Sequence, residues 1–161
     1  MIEVICAVAI IAILTALIFT ASGKLLGLSS SARCVSNLKN LHVAFAAYVG
    51  DYGYWPQQPD FPVDDKINYG NWWRKTMYPY TQNNEVWLCP SIKTLDATTP
   101  EEERSLIHYT PTLFDAFRNR PYQWALQPWL TESGNPHSEG GNILFPDGSV
   151  RNSKELIDSW K

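Results

Sequence analysis

Hydrophobic and polar positions follow two regimes along this chain. From Ile2 to Ala21 every residue is apolar or a threonine except Glu3. A run of about 20 such residues, at ~1.5 Å rise, matches the ~30 Å of a bilayer's hydrocarbon core. In the second regime apolar residues come in periods. Cys34, Leu38, Leu41, Phe45 and Tyr48 recur at steps of four, three, four and three, with Ser36, Lys39, Asn40 and Asp51 off that stripe. This predicts an amphipathic helix laid on a core, stopped near Gly50 and Gly53. Between the two halves, Gly23, Gly27 and the run Ser29 to Ser31 are poor helix formers. They predict a weak, melted joint, since each Gly costs up to ~1 kcal/mol against Ala. Unbroken, the helix from Ile2 to Val49 would be about 72 Å long.

Beyond the helix the pattern predicts short strands with long connections. Pro56, Pro59 and Pro62 mark an extended segment, and "EVWLC" and "NILF" are expected strands. "TPEEE" predicts a helix start, with Thr99 as N-cap, Pro100 first and Glu102 closing a capping box. "NILFPDGSVR" predicts a hairpin: Pro146 presets the turn, Asp147 bonds locally, and Gly148 accepts positive φ in a type I turn with a bulge. The expected fold is α+β, one long N-terminal helix on a small antiparallel sheet. Its units are residues 1–28, an apolar helical segment, and residues 29–161, a globular domain that includes the amphipathic half of the helix.

Composition sharpens this picture only where it is uneven. A mean hydropathy of -0.23 averages an apolar first eighth with a polar, aromatic remainder. The 161 residues suit one modest core. The net charge of -3 and pI near 5.5 argue against a nucleic-acid partner. A removable signal would show a basic n-region and an apolar core of about 7 to 15 residues, whereas no Lys or Arg precedes this run and the run is longer. A plain anchor explains the length, with Glu3 favoured by the helix dipole in the first turn. A third reading gives Glu3 a partner, because a carboxylate displaced toward a bilayer centre costs about 2.5–3.5 kcal/mol. The α-amine of a neighbouring chain, shifted along a shared bundle, would supply it.

Four blocks in order carry a resemblance: Glu3 ahead of "VAIIAILTAL", then "CVSNLKNLHVAFAAYVGDYGYWP", "PYTQNNEVWLCPS", and "HSEGGNILFPDG". The last contains His137, nine residues, then Asp147 and Gly148. Together they resemble type IV pilin-like proteins, in particular the pseudopilin-like family named for its C-terminal His, nine residues, Asp-Gly motif. The resemblance implies a structural subunit that polymerises through its N-terminal helix into a pilus-like or type II secretion pseudopilus-like filament. Glu3 would neutralise the amine of an adjacent subunit during assembly. Its implied partners are copies of itself, a prepilin peptidase, the filament assembly machinery and, before assembly, the inner membrane. The destination is an extracellular or periplasm-spanning filament. Members of the family carry their Glu fifth in the mature chain, which implies two more residues and a basic leader ahead of Met1. Thr20 stands where such helices often carry Pro, leaving the joint to Gly23 and Gly27.

Cys6 falls within the apolar run and reads as an inert small residue. Cys34 and Cys89 lie outside it, where an oxidising compartment permits a bridge closing a loop of about 56 residues. Two free thiols are the alternative; a metal fits less well, because there is no C-x-x-C and His42, His108 and His137 are scattered. No Ser elbow, phosphate loop or zinc helix is present, and no catalytic residue is assigned. His137, Asp147 and Gly148 are read as structural, fixing the "HSEGG" loop against the hairpin. No cofactor is expected, with calcium, through Glu139 and Asp147, as the alternative. Seven Trp residues, Trp55, Trp72, Trp73, Trp87, Trp124, Trp129 and Trp160, fill core and interfaces or stack on sugars. That second use defines the other function class, a membrane-tethered carbohydrate-binding module.

Overall fold

Helix α1 runs without interruption from Ile2 to Tyr52, 51 residues, in the computed structural model. The structure describes residues 2–62, 64–114, 119–137 and 140–159; the side chains of residues 17–26 and of Glu102 lie outside the described residues, as do Val63 and Trp160. The expected melted joint is therefore corrected: Gly23, Gly27 and Ser29 to Ser31 are all helical. Two unfavourable glycines cost ~2 kcal/mol. Helical turns already formed on both sides propagate at lower cost than a new nucleus. The rod is about 76 Å long. Gly53, at φ 74°, ends it by donating its N–H to the Val49 carbonyl at 2.8 Å. Gly50 lies inside the helix and does not stop it. Among the described residues no helix is long and apolar enough to cross a membrane. The sequence run that predicted a span continues past Ala16 into the residues whose side chains are not described.

The architecture is α+β, with helices α1, α2 (Lys66–Thr81), α3 (Pro90–Leu95) and α4 (Ser153–Asp158). Strands β1 (Tyr109–Pro111), β2 (Leu130–Glu132), β3 (Asn142–Leu144) and β4 (Val150–Asn152) form a sheet in that order. All three pairings are antiparallel, with Tyr109 opposite Glu132, Leu130 opposite Leu144, and Asn142 opposite Asn152.

The expectation of a helix laid on a sheet needs correction in its finer form. The stripe Cys34, Leu38, Leu41 and Phe45 is fully buried. Its facing layer is built from α2, α3 and the 3-10 turn Asn84–Trp87, with β3 and β4 covering the rest. Strands of three residues offer too little surface to cover four turns of helix, and aromatics from the helical segments fill the gap. Phe45 stacks on Trp55 at 4.6 Å and meets Trp73 of α2 at 5.7 Å and Trp87 of the turn at 6.1 Å. Such pairs add roughly 0.5–1.5 kcal/mol each beyond the area they bury.

Two expected elements differ in kind. "EVWLC" is not a strand: Asn83 accepts from the Glu85 N–H and caps a 3-10 turn, and Pro90, at the first position of α3, ends the extended stretch Leu88–Cys89. "TPEEE" gives only a 3-10 turn, Glu101–Glu103, with Pro100 rather than Thr99 at its cap and no capping side-chain bond. The Glu102 side chain lies outside the described residues. Helix α2 was not expected at all. Asp65 caps it by accepting from Asn68 N–H at 3.1 Å, and it buries Gly70, Trp73 and Met77.

Candidate functional site

Where α1 enters the core, Cys34 is bonded to Cys89, with a Cα–Cα distance of 4.9 Å. The bridge ties α1 to the residue that precedes α3, and both cysteines are fully buried. The neighbouring backbone is held from several sides. Tyr109 Oη donates to the Cys34 carbonyl at 3.2 Å, Asn37 Nδ2 donates to the Leu88 carbonyl at 2.9 Å, and Cys89 N–H donates to His108 Nδ1 at 3.1 Å. That last bond leaves the His108 proton on Nε2, 3.5 Å from Asp96 Oδ2. Burial pushes the His108 imidazole below its ordinary value, against the opposing pull of Asp96.

His137 and Glu132 complete this junction. His137 Nε2 is 3.1 Å from Glu132 Oε2, 3.3 Å from Oε1 and 3.8 Å from Cys89 Sγ. The Glu132 carboxylate is fully buried and accepts from Asn142 N–H at 2.9 Å and from Asn142 Nδ2 at 2.8 Å. A buried carboxylate is tolerated only when its lone pairs are occupied, and here β3 and the imidazole occupy them. One ligand atom from each of Cys34, Cys89, Glu132 and His137 falls within 4.8 Å of every other. His137, which the sequence spacing leaves apart from the cysteines, stands beside them in the fold, and the two cysteines themselves are joined as a disulfide. Glu132 went unnoticed in the sequence. Its signal is a carboxylate two residues after Leu130, on the face of a strand that buries Leu130.

The other half of the C-terminal motif has different partners. Phe145 N–H donates to Ser149 O and Gly148 N–H donates to Phe145 O, both at 3.0 Å, which is the expected type I turn with Gly148 at φ 77°. Asp147 is exposed and accepts from Ser149 N–H at 2.9 Å. Hydrogen bonding from Ser149 holds its carboxyl below the usual range. The turn docks on α1. His42 Nε2 donates to the Pro146 carbonyl at 2.9 Å, its ring stacks on Trp129 at 5.0 Å, and a Cβ on Gly148 would lie 3.1 Å from the imidazole. His137 thus meets Glu132, which is tied to β3, while Pro146 and Gly148 are the turn residues that lie against His42 of α1. Glu139, the other calcium candidate, lies outside the described residues.

Glu3 sits exposed in the first turn of α1, and Met1 lies outside the described residues. Ile2, Val4, Ile5, Val8, Ile10 and Ile11 around it are each more than half exposed, on every side of the helix. Cys6 is a free, exposed cysteine in the same run. Of the tryptophans, Trp55, Trp73, Trp87 and Trp129 are fully buried, Trp72 is half-buried and Trp124 is exposed. An aromatic group lies where α1 ends: half-buried Tyr48 is 4.5 Å from exposed Tyr52, and half-buried Tyr80 donates to Asp51 at 2.9 Å. Its rings are tilted or edge-on to one another. No protein-family model, curated protein or solved structure matches this chain.

Proposed function

We propose that this chain is a structural subunit that polymerises through the apolar half of α1 into a pilus-like or pseudopilus-like filament. The observation that carries the reading is the surface of α1 over residues 2–16, where the apolar side chains are exposed. A helix apolar on all sides must be covered on all sides. A dimer seam covers one stripe, as in a two-stranded coiled coil, and leaves the rest in water. Several neighbours in a bundle cover the whole girth. Burying eight Ile, Val and Leu side chains fully is worth roughly 12–24 kcal/mol, enough to offset the entropy lost on association. Because each subunit uses the same helix against neighbours displaced along it, the contact is heterologous and repeats without closing.

Glu3 fits this arrangement as a registration device. Unpaired in an apolar bundle it would cost several kcal/mol; opposite the amine of the next subunit it selects one axial offset. Before assembly the same run needs an apolar host, which the inner membrane supplies, and the assembly machinery moves it from lipid to bundle. The four sequence blocks point the same way. The globular part then decorates the outside of the filament, with the disulfide clamping α1 to it.

Cells expressing full-length Glu3→Ala test the role of that carboxylate. The variant is expected at parental levels in the membrane fraction, with filaments absent or shortened at least tenfold by negative-stain microscopy. Filaments of normal number and length in that variant contradict the registration role.

A further inference from the structure

A disulfide needs no polar company, yet this one is faced by a fully buried carboxylate and a nearly buried imidazole whose ring nitrogen is 3.8 Å from Cys89 Sγ. We propose that Cys34, Cys89, Glu132 and His137 form a binding site for a zinc-class divalent cation in the reduced chain, so that metal binding and disulfide formation are alternative closures of the same junction.

The donor set and its spacing support this. Two thiolates, an imidazole and a carboxylate are ligands that zinc accepts in tetrahedral sites, at about 2.3 Å for sulfur and 2.0–2.2 Å for nitrogen and oxygen. Ligand atoms at the corners of such a tetrahedron stand about 3.3–3.8 Å apart. His137 Nε2 already lies 3.8 Å from Cys89 Sγ and 3.3 Å from Glu132 Oε1, and all four donors lie within 4.8 Å of one another. Small side-chain rotations complete the geometry.

The outer shell is also in place. Both Asn142 donors bind Glu132 Oε2, at 2.9 and 2.8 Å, which leaves Oε1 for the ion and fixes the plane of the carboxylate. Second-shell bonds of this kind are what orient ligands in zinc sites. The charges suit the burial: two thiolates cancel the ion, and the one remaining negative unit sits on a carboxylate already provided with donors.

Bonded sulfurs cannot both act as thiolates, so the two states exclude each other. On binding, the two thiols each release a proton and the metal takes both sulfur lone pairs. On oxidation by a small-molecule disulfide, the two thiolates yield two electrons, the sulfur–sulfur bond forms, the oxidant leaves as two thiols after taking up two protons, and the ion is released. A chain whose thiols are still reduced would thus have its α1–α3 junction held by metal before the covalent bond replaces it.

Cobalt(II) is the probe, with the full-length chain in detergent micelles, reduced by a phosphine and kept anaerobic. The expected result is saturation at one equivalent, with a thiolate-to-cobalt charge-transfer band and the intense visible bands of tetrahedral cobalt. Zinc abolishes both, and the oxidised chain shows neither. Glu132→Gln and His137→Ala are each expected to weaken binding at least tenfold, with far-UV circular dichroism checking the fold. Cys34→Ser, which leaves the Glu132–His137 pair and the Cys89 thiolate intact, is expected to lose about half of the charge-transfer intensity and to bind more weakly. The proposal is overturned if the reduced chain shows no thiolate–cobalt band. It is equally overturned if the oxidised chain binds as well, or if Glu132→Gln, His137→Ala and Cys34→Ser all bind as the parent does.

Discussion

At Gly148 two constraints coincide. The backbone stands at φ 77°, and a Cβ would sit 3.1 Å from the His42 ring. Gly148→Val therefore strains the turn and pushes the hairpin off α1, at a cost of about 2–4 kcal/mol. His137→Ala removes one partner of a buried carboxylate that keeps both Asn142 donors, at a cost of about 1–2 kcal/mol. Denaturant unfolding of the full-length chain in micelles is expected to rank Gly148→Val as the more damaging, and equal or reversed midpoints contradict the assignment. Asp147 adds a pH signature. Its folded value lies below its unfolded one. The stability it lends is thus complete above the unfolded value and is lost as pH falls through the folded one. Carbon-detected titration is expected to place the Asp147 carboxyl below an ordinary aspartate, and Ser149→Pro, which removes the hydroxyl and the donor N–H together, to raise it. The hairpin residues were legible because turn chemistry is local. Their dockings were not. That His42 would hold Pro146, and Glu132 would stand between His137 and Asn142, depends on contacts across 104 and 10 residues that no spacing encodes.

Elements were legible in proportion to their length. The stripe of α1 has several turns in which to display its period, and Cys34, Leu38, Leu41 and Phe45 are buried as that period requires. Strands of three residues cannot show an alternation, so β1 and β2 went unread, and only β3 and β4, the two arms flanking the turn in "NILFPDGSVR", stood out. Helix α2 hid behind its own residues: Gly70, two adjacent tryptophans and Pro79 all lower helix propensity, and tertiary burial of Trp73 and Met77 overrides them. The unbroken α1 is the opposite case, a place where weak formers are carried by strong neighbours. The clamp between α1 and α3 is where elements depend on one covalent bond. Its sequence separation of 55 gives a stabilisation of about 4 kcal/mol in the chain-entropy model. Peptide maps with and without reductant are expected to differ by a Cys34–Cys89 cross-link, and metal-free reduction is expected to lower the unfolding midpoint accordingly. Alkylation of both thiols in native, unreduced protein contradicts the bridge.

At the scale of the molecule, the chain is divided between a part that buries its own apolar residues and a part that cannot. From Cys34 onward the core closes over itself with four fully buried tryptophans. Before Ser29 the described apolar side chains of α1 have no cover within the subunit, and the rod of about 76 Å carries them well clear of the globular part. This asymmetry is the physical content of the filament proposal: the exposed half is an interface awaiting copies of itself, and the folded half is what those copies display. It also explains why composition alone was uninformative, since the average of the two halves describes neither. The most direct measurement is helical reconstruction by electron cryo-microscopy of assemblies formed by the full-length protein. The account predicts a central bundle of α1 segments, residues 2–16 packed against neighbouring copies on every side, Glu3 opposite the N-terminus of an adjacent subunit, and the disulfide-clamped domains outside. Particles in which residues 2–16 stay solvent- or detergent-covered while other surfaces make the subunit contacts would contradict it.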